Sequence, residues 1–177
     1  MRPMMTNLFR SRLLALVLAT GLLASPITAH EGHQHGATEL TLGSLTLAGF
    51  FTKATLPNQP VGAGFLTITN AGTEDDRLIA ASSPMAADVQ IHEMKMDGDM
   101  MKMAELPDGL LIPAGQTVTL APGGFHLMFM DLTAAFVAGA VVPVSLTFEK
   151  AGTIDIELPV LAKSAETPEA PMAHDAH

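Results

Sequence analysis

The 177-residue chain has no cysteine, so disulfides, thiolate metal centres and lipid attachment through a thioether are all excluded. It is also poor in charge: Asp, Glu, Lys and Arg make up 15% of it, against 48% hydrophobic residues. That composition can bury one core but scarcely two, which predicts a single domain. No apolar run reaches the roughly 20 residues that a spanning helix needs. The one run that stands out, Leu13 to Ala24, follows Arg2, Arg10 and Arg12 and precedes the small residues Ser25, Thr28 and Ala29. This is the layout of a secretory signal peptide over residues 1–29, cleaved after Ala29. Cleavage removes three of nine basic residues and no acidic ones, so six remain against eighteen acidic and the formal charge becomes −12. Such a chain is not expected to bind nucleic acid.

Helical periodicity is missing as well. Between the ends lie short β-type runs, among them LGSLTLAGFF, GAGFLTITN, ADVQIHEMKM, MMKMAEL, FHLMFMDL, VVPVSLTF and TIDIELPV, divided by breakers such as NAG, DGD, PAG, APGG and EKAG. Many short strands on regular turns predict an all-β antiparallel sandwich or barrel over residues 40–161. Only Pro84 to Asp88 and Thr133 to Val137 suggest short helices. The flanking segments, residues 30–39 with His30, His33 and His35 and residues 162–177 with His174 and His177, lack periodicity and read as disordered tails.

The chemistry-bearing feature is a concentration of methionine: Met94, Met96, Met100, Met101, Met103, Met128 and Met130. Methionine commonly fills gaps in cores, and a lone His-x-Met carries little weight in a chain with seven histidines and twelve methionines. Two occur, His92-Glu93-Met94 and His126-Leu127-Met128. Asp97-Gly98 between two strands predicts a two-residue type I′ hairpin. In that register His92 faces Met103, Met94 faces Met101, and Glu93 faces Lys102. Facing side chains stand about 4.5 to 5.5 Å apart at Cβ, near enough to share an ion. In FHLMFMD, period-two alternation sends Phe125, Leu127 and Phe129 to the core and His126, Met128 and Met130 to the opposite face.

Two imidazoles and two thioethers form a soft, neutral donor set suited to Cu(I) and poor for Mg²⁺, Ca²⁺ or Mn²⁺. A blue-copper centre is excluded, because it needs a cysteine, and zinc is a weaker candidate. On the tails, amine and imidazole nitrogens, including a free α-amino group on His30 after cleavage, suit Cu(II) instead.

At these residues the sequence resembles the periplasmic copper chaperones of the PCu(A)C family. The family pattern is His, ten residues, Met, about twenty-one residues, then His-x-Met. Here it reads His92, ten residues, Met103, twenty-two residues, His126-Leu127-Met128, with the extra residue in a stretch of turns. TITNAG from Thr67, DRLIAASSP from Asp76, IPAG from Ile112 and APGGFHLMFM from Ala121 are similar too, and the likeness covers about residues 40–160. It implies a cupredoxin-like Greek-key sandwich, the ligands His92, Met103, His126 and Met128, and delivery of Cu(I) toward cytochrome oxidase assembly. A periplasmic monomer without a membrane anchor is expected, meeting an acceptor protein. Copper storage or detoxification is the alternative, a small copper enzyme a further one, and an adhesion module with a methionine-filled core the bland one. Met94, Met96, Met101 and Met130 are expected to shield the site, to substitute briefly during transfer, or simply to pack at a surface or edge.

Overall fold

The computed structural model describes residues 39–164. The predicted signal peptide and all five tail histidines lie outside them. Eleven strands follow one another: β1 (Leu40–Leu42), β2 (Leu45–Lys53), β3 (Val61–Asn70), β4 (Asp76–Ser82), β5 (Ala86–Asp97), β6 (Met100–Glu105), β7 (Leu110–Ile112), β8 (Thr117–Leu120), β9 (His126–Leu132), β10 (Val141–Phe148) and β11 (Gly152–Leu161). Alternation explains the outer strands well. In β10, Val142, Val144, Leu146 and Phe148 are buried while their neighbours face outward, and Ile156, Leu158 and Val160 do the same in β11.

The strands pair in the order β2-β11-β10-β4-β5-β9-β3, and β3 pairs back onto β2, so seven strands close on themselves. Closure removes the unpaired edges that an open sheet must otherwise protect. The fold is the all-β, cupredoxin-like sandwich. Its ladders are antiparallel except where β11 meets β2 in parallel, at Val160↔Thr52 and Leu161↔Lys53. β2 serves both layers because its register shifts between Ala48 and Phe51, a bulge that bends the strand around a corner. β1, β7, β8 and β6 are added at the sides of β2, β4, β3 and β5.

The interior is aliphatic and phenylalanine-rich: Leu45, Leu47, Ile68, Leu78, Leu127, Phe129 and Leu146 are fully buried. Each such side chain contributes roughly 1.5–3 kcal/mol by leaving water. β9 is held at the centre of this packing. Its Phe129 meets Phe136 edge-to-face at 5.4 Å between ring centres. β3 approaches it closely because Gly64 has no side chain: a Cβ there would lie 2.9 Å from the Phe129 ring and 2.8 Å from Leu158.

Two expectations are corrected. Among the described residues there is no helix. Ser83 to Ala86 make a turn, with Ala86 N–H donating to Ser83 O at 3.3 Å, and Ala86 to Asp88 join β5 against β9. Thr133 to Val137 stay irregular, because their backbone groups are taken by other segments. Thr133 N–H donates to Met85 O, Phe136 N–H to the Thr55 hydroxyl, and Phe136 O accepts from Thr55 N–H. With Thr133 and Phe136 committed in this way, a segment of five residues does not offset the cost of nucleating a helix. In addition, DRLIAAS forms β4, a strand that alternation did not reveal, and LGSLTLAGFF is broken at Gly43-Ser44 into β1 and β2.

Candidate metal centre

The site is built on three adjacent strands, β6-β5-β9, with β5 in the middle. Along β5 the odd residues Val89 and Ile91 enter the core. The even residues, Asp88, Gln90, His92, Met94 and Met96, therefore take the opposite face. Partners in a ladder share a face, so β9 adds His126 across from His92, Met128 across from Gln90 and Met130 across from Asp88. Leu127 and Phe129 are fully buried on the core side, as alternation predicts.

The hairpin register differs from the expected one. Asp97 pairs with Met100, Met96 with Met101, Lys95 with Lys102, Met94 with Met103, Glu93 with Ala104 and His92 with Glu105. The two-residue loop is thus Gly98-Asp99, not Asp97-Gly98. Gly98 is at φ +63 and Asp99 is not at positive φ, the φ pattern of a type II′ turn, which prefers glycine first. Type I′ would have required positive φ at both central residues. The anticipated Glu93–Lys102 pair is replaced: Lys102 bonds Asp97 on the same face of the hairpin, and Lys95 reaches Glu93 at 3.9 Å.

A shift of two residues preserves parity. Met103 stays on the face of His92 but moves from the direct to the diagonal position, about 7–8 Å away at the backbone and still within reach of a long side chain. The structure thus places His92, His126, Met128 and Met103 on one face, with the imidazoles directly adjacent and a thioether strand position on each side. Met94 and Met96 extend this face along the hairpin with Met101. Met130 lies away from it, beside Asp88 and Val61.

Both imidazoles are buried, at 7% and 6% exposure, although they lie on the face turned away from Ile91 and Leu127. Their ring centres are 5.7 Å apart with planes crossed at 64°. A chain of hydrogen bonds on the same face sets the protonation of His92. Gln90 Nε2 donates to Asp88 Oδ2 at 3.0 Å, which leaves Gln90 Oε1 toward His92 Nε2 at 2.9 Å. That oxygen accepts only, so the His92 proton sits on Nε2 and Nδ1 carries the lone pair. His126 is set in the complementary sense: Nδ1–H donates to Gly124 O at 3.1 Å, freeing Nε2. His92 Nδ1 is buried and has no hydrogen-bond partner among the described residues. An unsatisfied buried polar atom costs about 1–3 kcal/mol, and this lone pair is left available to a ligand. Burial first, and the neighbouring His126 second, lower the pKa of His92 below 6.5, while Glu105 opposes them. The ring is kept neutral, the form that ligates.

Among the described residues no three His, Asp or Glu side chains gather to hold a metal, so a centre here must draw on sulfur as well as nitrogen. Gln90, Asp88 and Glu105 were missed from the sequence. Gln90 and Asp88 were legible in principle, as the even-numbered companions of His92 on one strand. Glu105 was not, because its place depends on the turn type.

Residues 45–160 match the family described as "LpqE-like: Putative lipoprotein LpqE-like". The chain belongs to the LpqE-like family. A curated relative, "Putative lipoprotein Lxx21020" of Leifsonia xyli subsp. xyli (strain CTCB07), is 37% identical over 98 residues, which is 55% of this chain and 59% of that protein. The chain therefore spans little more than half the length of that relative. Among solved structures, this LpqE-like chain is similar to the "Copper-bound PCuAC domain from PmoF2", with TM-score 0.60 and 26% identity over 71% of this chain and 98% of that one. It is also similar to "CuI-DR1885" of Deinococcus radiodurans, with TM-score 0.55 and 27% identity over 73% and 85% of the two chains. The fold of this LpqE-like protein is thus that of the PCuAC domains.

Proposed function

We propose that this protein is an exported copper chaperone. It holds Cu(I) on His92 Nδ1, His126 Nε2 and the thioethers of Met103 and Met128, and it passes the ion to an acceptor. The observation that carries the reading is the pair of buried, tautomer-fixed imidazoles whose free lone pairs share a face with two thioethers. Solved relatives with bound copper, named as such, support the choice of metal. The donor set supports the oxidation state, since sulfur and neutral nitrogen favour Cu(I).

The same geometry supports transfer rather than storage. The imidazoles are buried, whereas Met103 is 49% exposed on the edge hairpin. A soft ligand of an acceptor can displace Met103 first while the two nitrogens still hold the ion, so hand-over proceeds by ligand exchange without free copper. The centre has two histidines, fewer than a copper enzyme usually gathers around its metal, which favours a carrier over an enzyme. The acceptor is proposed to be a component of cytochrome oxidase assembly and the compartment the periplasm, with the chaperone monomeric. Export is supported by the charged, apolar and small-residue order of residues 1–29 and by the lipoprotein names of the relatives. This sequence itself offers no cysteine to carry a thioether-linked lipid. His30, His33, His35, His174 and His177, outside the described residues, are proposed as auxiliary Cu(II) ligands.

The test is an anaerobic Cu(I) titration watching histidine ring and methionine methyl NMR signals, followed by mixing with an apo acceptor. One equivalent should move His92, His126, Met103 and Met128 together and then leave for the acceptor. Binding without movement of the two histidines would reject the site, and retention in the presence of the acceptor would point to storage.

A further inference from the structure

Among the described residues β6 pairs with β5 alone, and every one of its six residues is exposed. The hairpin is therefore uncovered at β6 among the described residues, and the face it shares with His92 carries four thioethers, with Glu105 opposite His92. Met94 pairs directly with Met103 and Met96 with Met101, all on the side of His92, whereas Lys95, Lys102, Glu93 and Asp97 occupy the other side. Met96, Met101 and Met103 are 60%, 56% and 49% exposed. Methionine that fills a core gap is buried, so packing does not account for these residues. Nor does strand propensity, which favours β-branched and aromatic side chains at exposed positions.

Met94, Met96 and Met101 form a triangle. Met96 and Met101 are direct partners, about 4.5–5.5 Å apart at Cβ, Met94 and Met101 are diagonal at about 7–8 Å, and Met94 and Met96 are about 7 Å apart along one strand. Each sulfur ends a side chain of three rotatable bonds, so three thioethers can converge on one ion at this spacing. The type II′ turn at Gly98-Asp99 decides which pair of the triangle is direct, setting Met101 opposite Met96 and Met103 opposite Met94. In the alternative register Met96 would have faced Asp99, a hard carboxylate, instead of a second thioether.

We infer that Met94, Met96 and Met101 form a second, all-thioether Cu(I) site at the outer half of the hairpin. It is joined to the histidine centre through Met103, which stands beside Met94. Lacking imidazole, this site is the weaker one, and it serves as the station where Cu(I) enters before moving inward to nitrogen or leaves on the way out. The choice of metal rests on the function proposed above.

The test is titration of the full chain, labelled at the methionine methyl groups, with Cu(I) under anaerobic conditions to beyond two equivalents. Methyl signals report each methionine separately, so ions bound elsewhere do not mimic the result. The Met94, Met96 and Met101 methyls should shift together after the first equivalent has been taken by the histidine centre. A Met96→Leu/Met101→Leu variant should lose that weaker equivalent and slow copper uptake from a thioether or thiol donor several-fold, with the first equivalent still bound. Unmoved Met96 and Met101 methyls, or an unchanged second equivalent in the variant, would overturn the inference. Movement of the two histidines with Met96 and Met101 still would remove this site and leave the chaperone reading intact. Movement of Met94, Met96 and Met101 with the histidines still would do the reverse.

Discussion

Replacing Gln90 with leucine tests whether the relay from Asp88 to His92 prepares a ligand. Gln90 is half-buried across from Met128, and its amide bridges Asp88 Oδ2 and His92 Nε2 at 3.0 and 2.9 Å. Leucine is of similar size, so the strand should persist. Asp88 also keeps its bond from Val89 N–H at 2.9 Å. What is lost is the acceptor that holds the His92 proton on Nε2. The ring can then place its proton on Nδ1, and copper must first pay to reverse the tautomer and reorient the ring. Removing such an outer partner typically weakens metal binding 10- to 100-fold, or about 1.4–2.7 kcal/mol. The assay is anaerobic competition for Cu(I) against a chromophoric chelator, with circular dichroism and thermal unfolding of the metal-free variant as the check on folding. A folded Gln90→Leu protein that held Cu(I) within about twofold of the parent would refute the relay, and with it the tautomer assigned to His92.

Met103→Leu and Met128→Leu preserve volume and apolarity; each should leave the fold unchanged and weaken Cu(I) at least about 10-fold, roughly 1.4 kcal/mol. A variant that kept parental affinity in the same competition would strike that methionine from the site. Asn70 is fully buried, donates to Glu74 O at 2.8 Å and Ile112 O at 3.1 Å, and accepts from Gly72 N–H at 2.9 Å. Asn70→Ala should cost about 2–4 kcal/mol in chemical denaturation, and a loss below about 1 kcal/mol would show that the bonds are replaced by water. Because burial lowers the pKa of His92 below 6.5, the unfolded chain takes up a proton at a pH where the folded one does not. The stability linked to this group is therefore complete above 6.5 and is lost as pH falls through the lower folded value. The metal-free protein should lose thermal stability from about pH 7 to about pH 5 more steeply than a His92→Asn variant, and parallel curves would contradict the shift. Finally, Cu(II) titration followed by EPR should show a nitrogen-rich signal in the chain from residue 30 to 177 that a form spanning residues 40–161 lacks; equal binding by both would dismiss the tails as ligands.

The family-like phrases acquire physical reasons in the structure. In TITNAG the asparagine is the buried clasp just described. In DRLIAASSP, Asp76 accepts from the N–H groups of Arg77, Lys150 and Ala151, stitching β4 to the β10–β11 turn. In IPAG, Gln116 N–H closes a turn onto Pro113 O at 3.1 Å.

What the sequence by itself determined is whatever depends on local period and composition. Alternation in FHLMFMD sent Leu127 and Phe129 inward and His126 and Met128 outward, and the absence of cysteine limited the donors to nitrogen, oxygen and thioether sulfur. The parity of a strand survives any even slip, so His92 and Met103 share a face under both the expected and the observed two-residue loop. What only the tertiary structure decided is which residues become neighbours across strands. Nothing local joins β5 to β9, whose partners His92 and His126 are 34 residues apart in sequence and meet because the seven-strand ring closes. The hairpin register, too, was chosen by a balance the dipeptide alone does not reveal. Asp-Gly can fill the loop as type I′, or place its glycine first in a type II′ loop with the next aspartate, and the two differ by two residues. The second loop sets methionine against methionine along the hairpin and Glu105 against His92. Burial of the imidazoles and the orphaned Nδ1 followed from that assembly, since desolvation is a property of all the strands around a side chain and of none taken singly.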